Sequence, residues 1–252
     1  MSEDRLAEAA AEVLMFPEGN VVRQVAYPHV FDANLVRHPR LLPVDLDATL
    51  SRLALPLREV GVRHLQITCD ATPLSDEVRA ALRARRMGCE VLLAMALAGK
   101  PSRRAHDDVK LMAARGEAPR AWFAQAMEKM SREEPWYSPW VAREIVGSVE
   151  AKERAGVLQL FVAGLDGRPA GAAGVAIDTE ARVAAICSVG TVPEARHRGV
   201  AQSLVVGLAE RALDAGCDLV YLIARADDTP KNMYRKLGFE VAFAFDVWLR
   251  TP

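Results

Sequence analysis

The chain has 252 residues, of which 51% are hydrophobic and 26% are charged, and its formal net charge is -1 at pH 7. This length and composition suit one large or two small soluble domains. The balanced charge gives no electrostatic reason to expect nucleic acid or an anionic membrane as a partner. No apolar run approaches the roughly 20 residues that span a bilayer.

The first residues, MSEDRLAEAAAEV, are acidic and amphipathic, which is not the pattern of a signal peptide. The four cysteines are scattered, each in an apolar setting and without metal-ligand spacing: Cys69, Cys89, Cys187 and Cys217. We therefore expect buried free thiols, no metal site and a cytoplasmic protein.

In the first part of the chain, apolar periodicity and turn residues predict alternating helices and strands. The predicted elements are a helix over 2–15, a strand over 21–26, a helix over 45–60, a strand over 63–69, a helix over 76–87 and a strand over 90–97. Ser75 is placed to cap the third helix, and Gly61 and Gly88 are placed to end the second and the third. The small, basic and proline-bearing stretch 98–105 is typical of a linker.

The rest of the chain predicts a longer series of elements. These are a strand over 109–114, helices over 119–130 and 141–152, strands over 158–165, 170–177 and 183–192, a helix over 199–215, a strand over 219–224, a helix over 230–237 and a strand over 241–249. Asp166-Gly167, between the first two of the three consecutive strands, is a strong hairpin signal.

The order helix, strand, helix, strand occurs twice, once before the linker and once at the end of the chain. Gly61–Ile67 is similar to Gly216–Leu222, and Met87–Val91 is similar to Leu237–Val241. We predict two domains, residues 1–105 and 106–252. The first is either a degenerate copy of the second or an unrelated α/β cap, because this element order is common and the identities are few.

The segment Ser188–Leu204 indicates a functional site. It predicts the end of a strand, a short polar turn and the start of a helix, with Arg196, His197, Arg198 and Gly199 at the helix start. A helix start has unpaired N–H groups and partial positive charge, so it attracts phosphate. Glycine lets the backbone approach a ligand, and arginine adds charge-assisted bonds. The alternative is an ordinary basic turn that caps a helix.

The pattern Arg196-x-x-Gly199-x-Ala201, preceded by Pro193, is neither a Walker loop nor Gly-x-Gly-x-x-Gly. It resembles the coenzyme A pyrophosphate loop of the GNAT superfamily of acyl-CoA-dependent N-acyltransferases. The element order of residues 106–252 also resembles the GNAT fold. The resemblance implies a mixed α/β protein of two tandem GNAT-like domains, each a mostly antiparallel sheet flanked by helices. The N-terminal domain would be degenerate, since it has no such loop.

The resemblance also implies how acetyl-CoA, the expected cofactor, is held. The diphosphate would lie on the loop residues, namely Arg196, His197, Arg198, Gly199, Val200 and Ala201. The pantetheine arm would pair with the backbone of a splayed strand edge, at Val189, Gly190 and Thr191. The N–H of Val189 would lie near the acyl carbonyl and support a developing oxyanion.

A second motif, Asp227–Phe239, resembles the late segment Leu-Tyr-x-Lys-x-Gly-Phe of the family, with Met233 in place of the leucine. Thr229 and Pro230 suit the start of a short helix. The resemblance implies that Tyr234 protonates the leaving thiolate, for which its ordinary pKa near 10 keeps it protonated. Many relatives carry asparagine where this chain has Asp227, and an ionised aspartate accepts but cannot donate, so the expected contact of Asp227 with the cofactor arm is weakened.

A base is needed because most free amines are protonated at pH 7. Glu134 is the first candidate, since the second helix of the family helps to shape the acceptor site. Asp178 and Glu180 are further candidates, and a water chain or an already deprotonated amine would also serve. The aromatic cluster Trp136, Tyr137 and Trp140 either lines the acceptor pocket or lies between the two halves.

These residues predict an N-acetyltransferase that moves an acetyl group from acetyl-CoA to a primary amine of a small molecule or peptide. The alternatives are a non-catalytic acyl-CoA-binding or regulatory protein, and an acyltransferase with another short acyl group or a thiol-precursor amine. We expect no nucleic-acid or membrane partner, and a homodimer is compatible with the sequence.

Overall fold

The computed structural model describes residues 3–70, 73–132 and 138–251. The helices are α1 (Glu3–Glu8), α2 (Leu46–Glu59), α3 (Asp76–Ala84), α4 (Glu117–Ser131), α5 (Pro139–Arg154), α6 (Val200–Asp214) and α7 (Pro230–Lys236). The strands are β1 (Glu12–Phe16), β2 (Gly19–Arg23), β3 (Asn34–Arg37), β4 (Leu65–Thr68), β5 (Gly88–Ala98), β6 (Lys110–Ala113), β7 (Gln159–Leu165), β8 (Arg168–Asp178), β9 (Val183–Thr191), β10 (Leu219–Arg225) and β11 (Glu240–Arg250). Among the helices of these ranges, none is both long enough and apolar enough to cross a bilayer.

The described strands form one sheet in the order β1-β2-β3-β4-β11-β5-β10-β9-β8-β7-β6. Within it, β3 and β4 are parallel, β9 and β10 are parallel, and the other neighbours are antiparallel. Helices flank this sheet, which confirms the predicted mixed, mostly antiparallel α/β fold.

The two halves of the chain exchange strands in the middle of the sheet. β5 lies between β10 and β11, although it comes before the linker, and β11 pairs with β4. The series α2-β4-α3-β5 and α6-β10-α7-β11 have the same order, and the last strand of each pairs with the earlier strand of the other. The predicted boundary at residue 105 follows β5, so the segments on either side of it share one sheet.

The exchange also places core side chains. Trp248 of β11 is fully buried in a cluster with Leu57, Ile67 and Leu82 from the first half. Met95 of β5 is fully buried in the cluster of the second half. A buried side chain of this size contributes about 1.5–3 kcal/mol, so each half depends on the other for part of its core.

The start of the chain differs from the sequence prediction. Residues 2–15 were expected to form one helix, but α1 ends at Glu8 and β1 begins at Glu12. β1 forms a hairpin with β2, in which Glu12 pairs with Arg23 and Phe16 with Gly19. The helical alanine and leucine pattern is therefore overridden by strand pairing, a contact that the local sequence does not contain.

Smaller corrections concern the third helix and the cysteines. Ser75 caps α3 as predicted, because its Oγ accepts from Val78 N–H at 3.3 Å. The helix ends before Gly88, which begins β5, and Arg86 takes the left-handed conformation at φ +59°.

All four cysteines are free, but Cys89 is exposed and Cys187 is half-buried, so the expectation of four buried thiols is wrong.

The connection between β2 and β3 packs against α5 of the second half. Gln24 Nε2 donates to Ala9 O at 3.1 Å, and Ser148 Oγ on α5 donates to Gln24 Oε1 at 2.6 Å. Gly147 lies directly on the Tyr27 ring: a Cβ at this position would be 2.5 Å from Tyr27 Cε1. The contact therefore requires glycine in the middle of a helix.

We predict that Gly147→Ala lowers the free energy of unfolding by about 1–2 kcal/mol, because the new methyl overpacks the Tyr27 ring. On helix propensity alone the same change would stabilise by up to about 1 kcal/mol. In the Tyr27→Ala background Gly147→Ala should therefore be neutral or stabilising. Urea unfolding of the four proteins of this cycle measures the difference. Stabilisation by Gly147→Ala in the wild-type background would show that the contact does not exist.

Candidate active site

β9 and β10 separate at their carboxyl ends. Their parallel pairing runs from Val183 opposite Leu219 to Ile186 opposite Leu222. Beyond that point β9 continues to pair with β8, and β10 continues to pair with β5 as far as Arg225. Residues 187–191 of β9 and 223–225 of β10 therefore border a gap in the sheet, and the backbone edges that face it are available to a ligand.

A β-bulge turns β9 away from β10. Gly174 pairs with Cys187 and Ala172 pairs with Gly190, so Ser188 and Val189 both lie opposite Ala173. Ser188 has φ +52°, a left-handed conformation that costs of order 1 kcal/mol for a residue other than glycine. Val189, Gly190 and Thr191 follow on the separated end of the strand. The Oγ of Thr191 is buried, and no described protein group hydrogen-bonds to it.

The predicted anion loop connects this strand to α6. A short 3-10 turn (Pro193–Ala195) follows β9, His197 has φ +61°, and Gly199 has φ +77° as the residue before α6. Gly171 of β8 brings the strand end and the helix start together: a Cβ there would be 2.6 Å from Gly190 O and 2.8 Å from Val200 Cγ1. The cofactor residues predicted from sequence on β9 and on α6 are thus neighbours.

The charged side chains of the loop are exposed and partly engaged. Arg198 pairs with Asp166 at 2.9 Å, with both side chains at least half exposed. Glu194 pairs with Lys129 of α4, and this hydrogen bond lowers the pKa of Glu194. Pairs of this kind contribute little to stability, typically about 0–1 kcal/mol, so a bound phosphate can replace the partner of Arg198 at low cost.

The linker lies beside the loop, which the sequence did not indicate. Ser102 N–H donates to Leu237 O at 2.9 Å, Arg104 O accepts from Gln202 Nε2 at 2.8 Å, and His106 N–H donates to Ser203 Oγ at 2.9 Å. The His106 ring covers Gly199, since a Cβ there would be 2.2 Å from His106 Cδ2. Basic residues of the linker were visible in the sequence, but nothing local showed that they border α6.

Tyr234 lies on α7 and is buried in the core of the second half. Burial, with a smaller contribution from the Asp228 carboxylate, raises the pKa of Tyr234 to about 12. The phenol is therefore protonated at neutral pH, as an acid must be.

Two neighbours of α7 differ from what the sequence suggested. Thr229 is not a side-chain cap, and its N–H instead donates to Asp228 Oδ1 at 2.6 Å. Asp227 accepts from Arg225 Nε at 3.2 Å, and this bond lowers the pKa of Asp227. The Asp227 carboxylate is therefore ionised and already engaged, which further weakens the expected contact with the cofactor arm.

Among the residues that the structure describes, none of the candidate bases lies at the gap. Glu134, Trp136 and Tyr137 lie outside the residues that the structure describes. Asp178 and Glu180 lie at the hairpin before Val183, at the other end of β9 from the gap. A strand rises about 3.3 Å per residue. The nine residues of β9 therefore hold both carboxylates too far from Thr191 to reach a ligand there. A hydrogen bond from Ala181 N–H lowers the pKa of Asp178, which also disfavours it as a base.

Trp140 lies between the two halves, which is one of the two locations that the sequence allows for the aromatic cluster. Its ring contacts the ring of His29 edge-on, with centroids 3.9 Å apart. His29 Nδ1 is 3.2 Å from Glu144 Oε1 on the same helix as Trp140, and His29 N–H donates to Glu144 Oε2 at 2.9 Å. A His–carboxylate pair was not found from sequence because its members come from different halves.

In the first half, the counterpart of the gap is closed. β3 and β4 pair to the end of β3, where Arg37 lies opposite Thr68. Arg37 and Asp70 form a buried ion pair at that end. A short turn that contains Pro43 leads into α2 in place of a glycine loop. Among the described residues, no group of three or more potential metal ligands occurs.

Solved structures share this fold over nearly the whole chain. A conserved protein of unknown function from Staphylococcus epidermidis has a TM-score of 0.76 at 13% identity, covering 99% of this chain and 98% of that one. A GCN5-related N-acetyltransferase from Kribbella flavida has a TM-score of 0.67 at 16% identity, covering 98% and 95%. A tandem GNAT protein from the clavulanic acid biosynthesis pathway has a TM-score of 0.56 at 16% identity, covering 98% and 85%. These similarities show the fold.

Residues 117–239 match the acetyltransferase (GNAT) family, and this stretch holds the gap, the anion loop and Tyr234. These residues therefore form an acetyltransferase domain of the GNAT family, which confirms the family predicted from the sequence. No curated protein sequence matches the chain.

The backbone of Gly199 allows a matched test of the loop. Gly199 and Gly216 both have left-handed φ, at +77° and +92°, but only Gly199 is covered by another residue, because nothing lies within 4 Å of a Cβ on Gly216. Alanine should lower the free energy of unfolding by about 1 kcal/mol at Gly216 and by more at Gly199, where its methyl also collides with the His106 ring. Gly199→Ala should in addition weaken coenzyme A binding by about tenfold, because its methyl takes the space of the His106 ring. Calorimetric titration and thermal unfolding measure the two effects. Equal loss of coenzyme A affinity in both variants would contradict the assignment of the loop.

Proposed function

We propose that the protein is a cytoplasmic, acetyl-CoA-dependent N-acetyltransferase that acts on a primary amine of a small molecule or peptide. One observation carries the proposal: in a GNAT acetyltransferase domain, the gap between β9 and β10 lies directly beside the anion-attracting start of α6. A cofactor with a diphosphate and an extended amide-bearing arm fits both features at once.

The residues of the gap suit such a cofactor. The start of α6 offers unpaired N–H groups and partial positive charge to the diphosphate, with Arg196 and Arg198 beside it. The separated edge of β9 at Val189 and Thr191 can pair with the amides of the arm, as an added strand would. The buried Oγ of Thr191 has hydrogen-bonding capacity that the described protein groups leave unused.

The acyl group has limited space beside Gly190. Met130 of α4 covers this residue, since a Cβ on Gly190 would be 2.4 Å from Met130 Sδ. A methionine can shift more readily than a backbone wall, but it still favours a short acyl group. This contact supports acetyl over a longer chain.

When bound, acetyl-CoA would supply a thioester that is open to attack by a deprotonated amine, with a thiolate as the leaving group. The N–H of Val189, on the separated end of β9, would stabilise negative charge that develops on the carbonyl oxygen. Tyr234 holds a proton at its Oη, which it gives to the departing sulfur. The fixed gap aligns the two reactants, which lowers the entropic cost of the reaction.

Arg196→Ala and Tyr234→Phe should separate binding from chemistry. Arg196→Ala should raise the Kd and KM for acetyl-CoA by about tenfold, because a charge-assisted phosphate contact is lost. Tyr234→Phe should lower kcat by about 100-fold with little change in Kd, because only proton transfer is lost. Since the pKa of Tyr234 is about 12, any pH dependence of kcat at roughly pH 6–9 should be the same in the wild type and in Tyr234→Phe. Calorimetric titration measures the Kd for acetyl-CoA, and assays of free thiol release over this pH range measure KM and kcat.

Arg182→Ala is the matched control for Arg196→Ala. Arg182 is an exposed arginine beside the other end of β9, where it pairs with Asp218 at 2.6 Å. Its loss should leave the affinity for acetyl-CoA unchanged. If Arg196→Ala and Arg182→Ala bind acetyl-CoA equally well, the loop does not bind the diphosphate. Tight binding without thiol release for any amine would instead identify a non-catalytic acyl-CoA-binding protein.

A further inference from the structure

One face of the three central strands carries an apolar surface beside the gap. Side chains that are directly opposite each other share a face, and the pairing places Ile223, Ala94 and Phe243 in one row and Arg225, Leu92 and Phe245 in the next. We call this face the β10-β5-β11 surface. Its central strand comes from the first half of the chain and the outer two from the second.

This surface is on the side of the sheet opposite α7. Leu97 has the opposite orientation to Ala94 and Leu92 along β5. A Cβ on Gly238, directly after α7, would be 3.2 Å from Leu97 Cδ1. The helix that carries Tyr234 therefore packs on the face of Leu97. The β10-β5-β11 surface is reached from the other face of the gap.

The surface is partly open and continuous with the gap. Ile223 follows Leu222, the last residue of β10 that pairs with β9, so it borders the place proposed for the thioester. Phe243 is 50% exposed, whereas Ala94, opposite it on β5, and Phe245, two residues further along β11, are buried. An exposed aromatic ring on a strand in the middle of a sheet is typical of a binding surface.

Carboxylates border the surface and set the charge of its ligand. Arg225 pairs with Glu90 (Nη2 to Oε1, 3.3 Å) and with Asp227 (Nε to Oδ1, 3.2 Å), so two negative charges face its single positive charge. At the other end of the rows, Glu240 lies opposite Ala96 of β5. With Asp228 and Lys231, which also interact with this cluster, four carboxylates face two cations, and this excess of negative charge favours a cation over an anion.

We propose that the β10-β5-β11 surface binds the acceptor and that the acceptor is a primary amine with an aromatic or branched alkyl body. The body lies on Ile223 and Phe243, and the amino group reaches the gap. The carboxylates attract the protonated amine before it loses its proton and attacks. This inference rests on the proposed function, and it also assigns the first half a role in binding the acceptor through β5.

Amine binding to the full-length protein, followed by ligand-observed NMR and calorimetry, tests the proposal with and without coenzyme A. The probes are phenethylamine and isopentylamine, with ethanolamine as a polar amine of similar basicity. We expect the two apolar amines to bind at least about tenfold more tightly than ethanolamine. Turnover with acetyl-CoA should show the same order in kcat/KM.

Phe243→Ala and Val241→Ala form a matched pair on one strand. Val241 is 41% exposed and pairs with Met95, so it lies on the other face. Phe243→Ala should weaken phenethylamine binding by about 3- to 10-fold and leave ethanolamine unchanged. Val241→Ala should change neither, and Phe243→Leu should retain most of the affinity. Thermal unfolding of each variant verifies that it is folded.

The outcomes separate the two proposals. Equal affinities for phenethylamine and ethanolamine, or equal effects of Phe243→Ala and Val241→Ala, would overturn the acceptor assignment even if coenzyme A binds. Failure of coenzyme A to bind, with phenethylamine still sensitive to Phe243→Ala, would overturn the proposed function and leave the amine site standing.

Discussion

The pairing of β5 with β10 is the contact on which the candidate site depends. β5 holds β10 along its whole length, from Leu219 to Arg225, whereas β9 holds it only as far as Leu222. With one edge fully paired, β10 stays in the sheet while the bulge at Ser188 and Val189 turns β9 away. The first half of the chain therefore supports the gap, although the anion loop and Tyr234 belong to the second.

The two halves of the chain share an element order but differ at the point where strands can separate. In the second half, the bulge, Gly171 and Gly199 let strand and helix start approach each other around an opening. In the first half, Arg37 and Asp70 pair across the same position and are nearly buried. Breaking such a pair would leave a buried charge at a cost of several kcal/mol. The Arg37–Asp70 pair therefore holds β3 and the end of β4 together in the first half.

Much of the second half could be predicted from sequence because its signals are local. The turn from β9 to α6 carries a recognisable motif in Arg196, Gly199 and Ala201. The segment around Tyr234 on α7 carries a second one. The order of the sheet could not be predicted in this way, because the position of β5 between β10 and β11 depends on pairing between distant residues. The same reason explains the error at residues 2–15, where pairing of β1 with β2 overrides a helical pattern.

The candidate site shows the same division. The loop was indicated by its own residues, whereas Val189–Thr191 were implied by the resemblance to the family, and in the structure the strand end lies beside the loop. His106, Met130 and the pair of His29 with Glu144 lie in no motif, because each meets its partner only after the chain has folded. Asp178 and Glu180 had the right chemistry for a base, but β9 carries them to the wrong end of the strand.

Amide hydrogen exchange at the separated end of β9 tests the central claim most directly. The protein should be titrated with acetyl-CoA and, in parallel, with adenosine 3′,5′-bisphosphate, which has phosphates but no pantetheine arm. We predict that acetyl-CoA slows exchange at Val189 and Thr191 as well as at the start of α6, whereas the bisphosphate affects only the start of α6. Unchanged exchange at Val189 and Thr191 with saturating acetyl-CoA would show that the gap does not receive the arm.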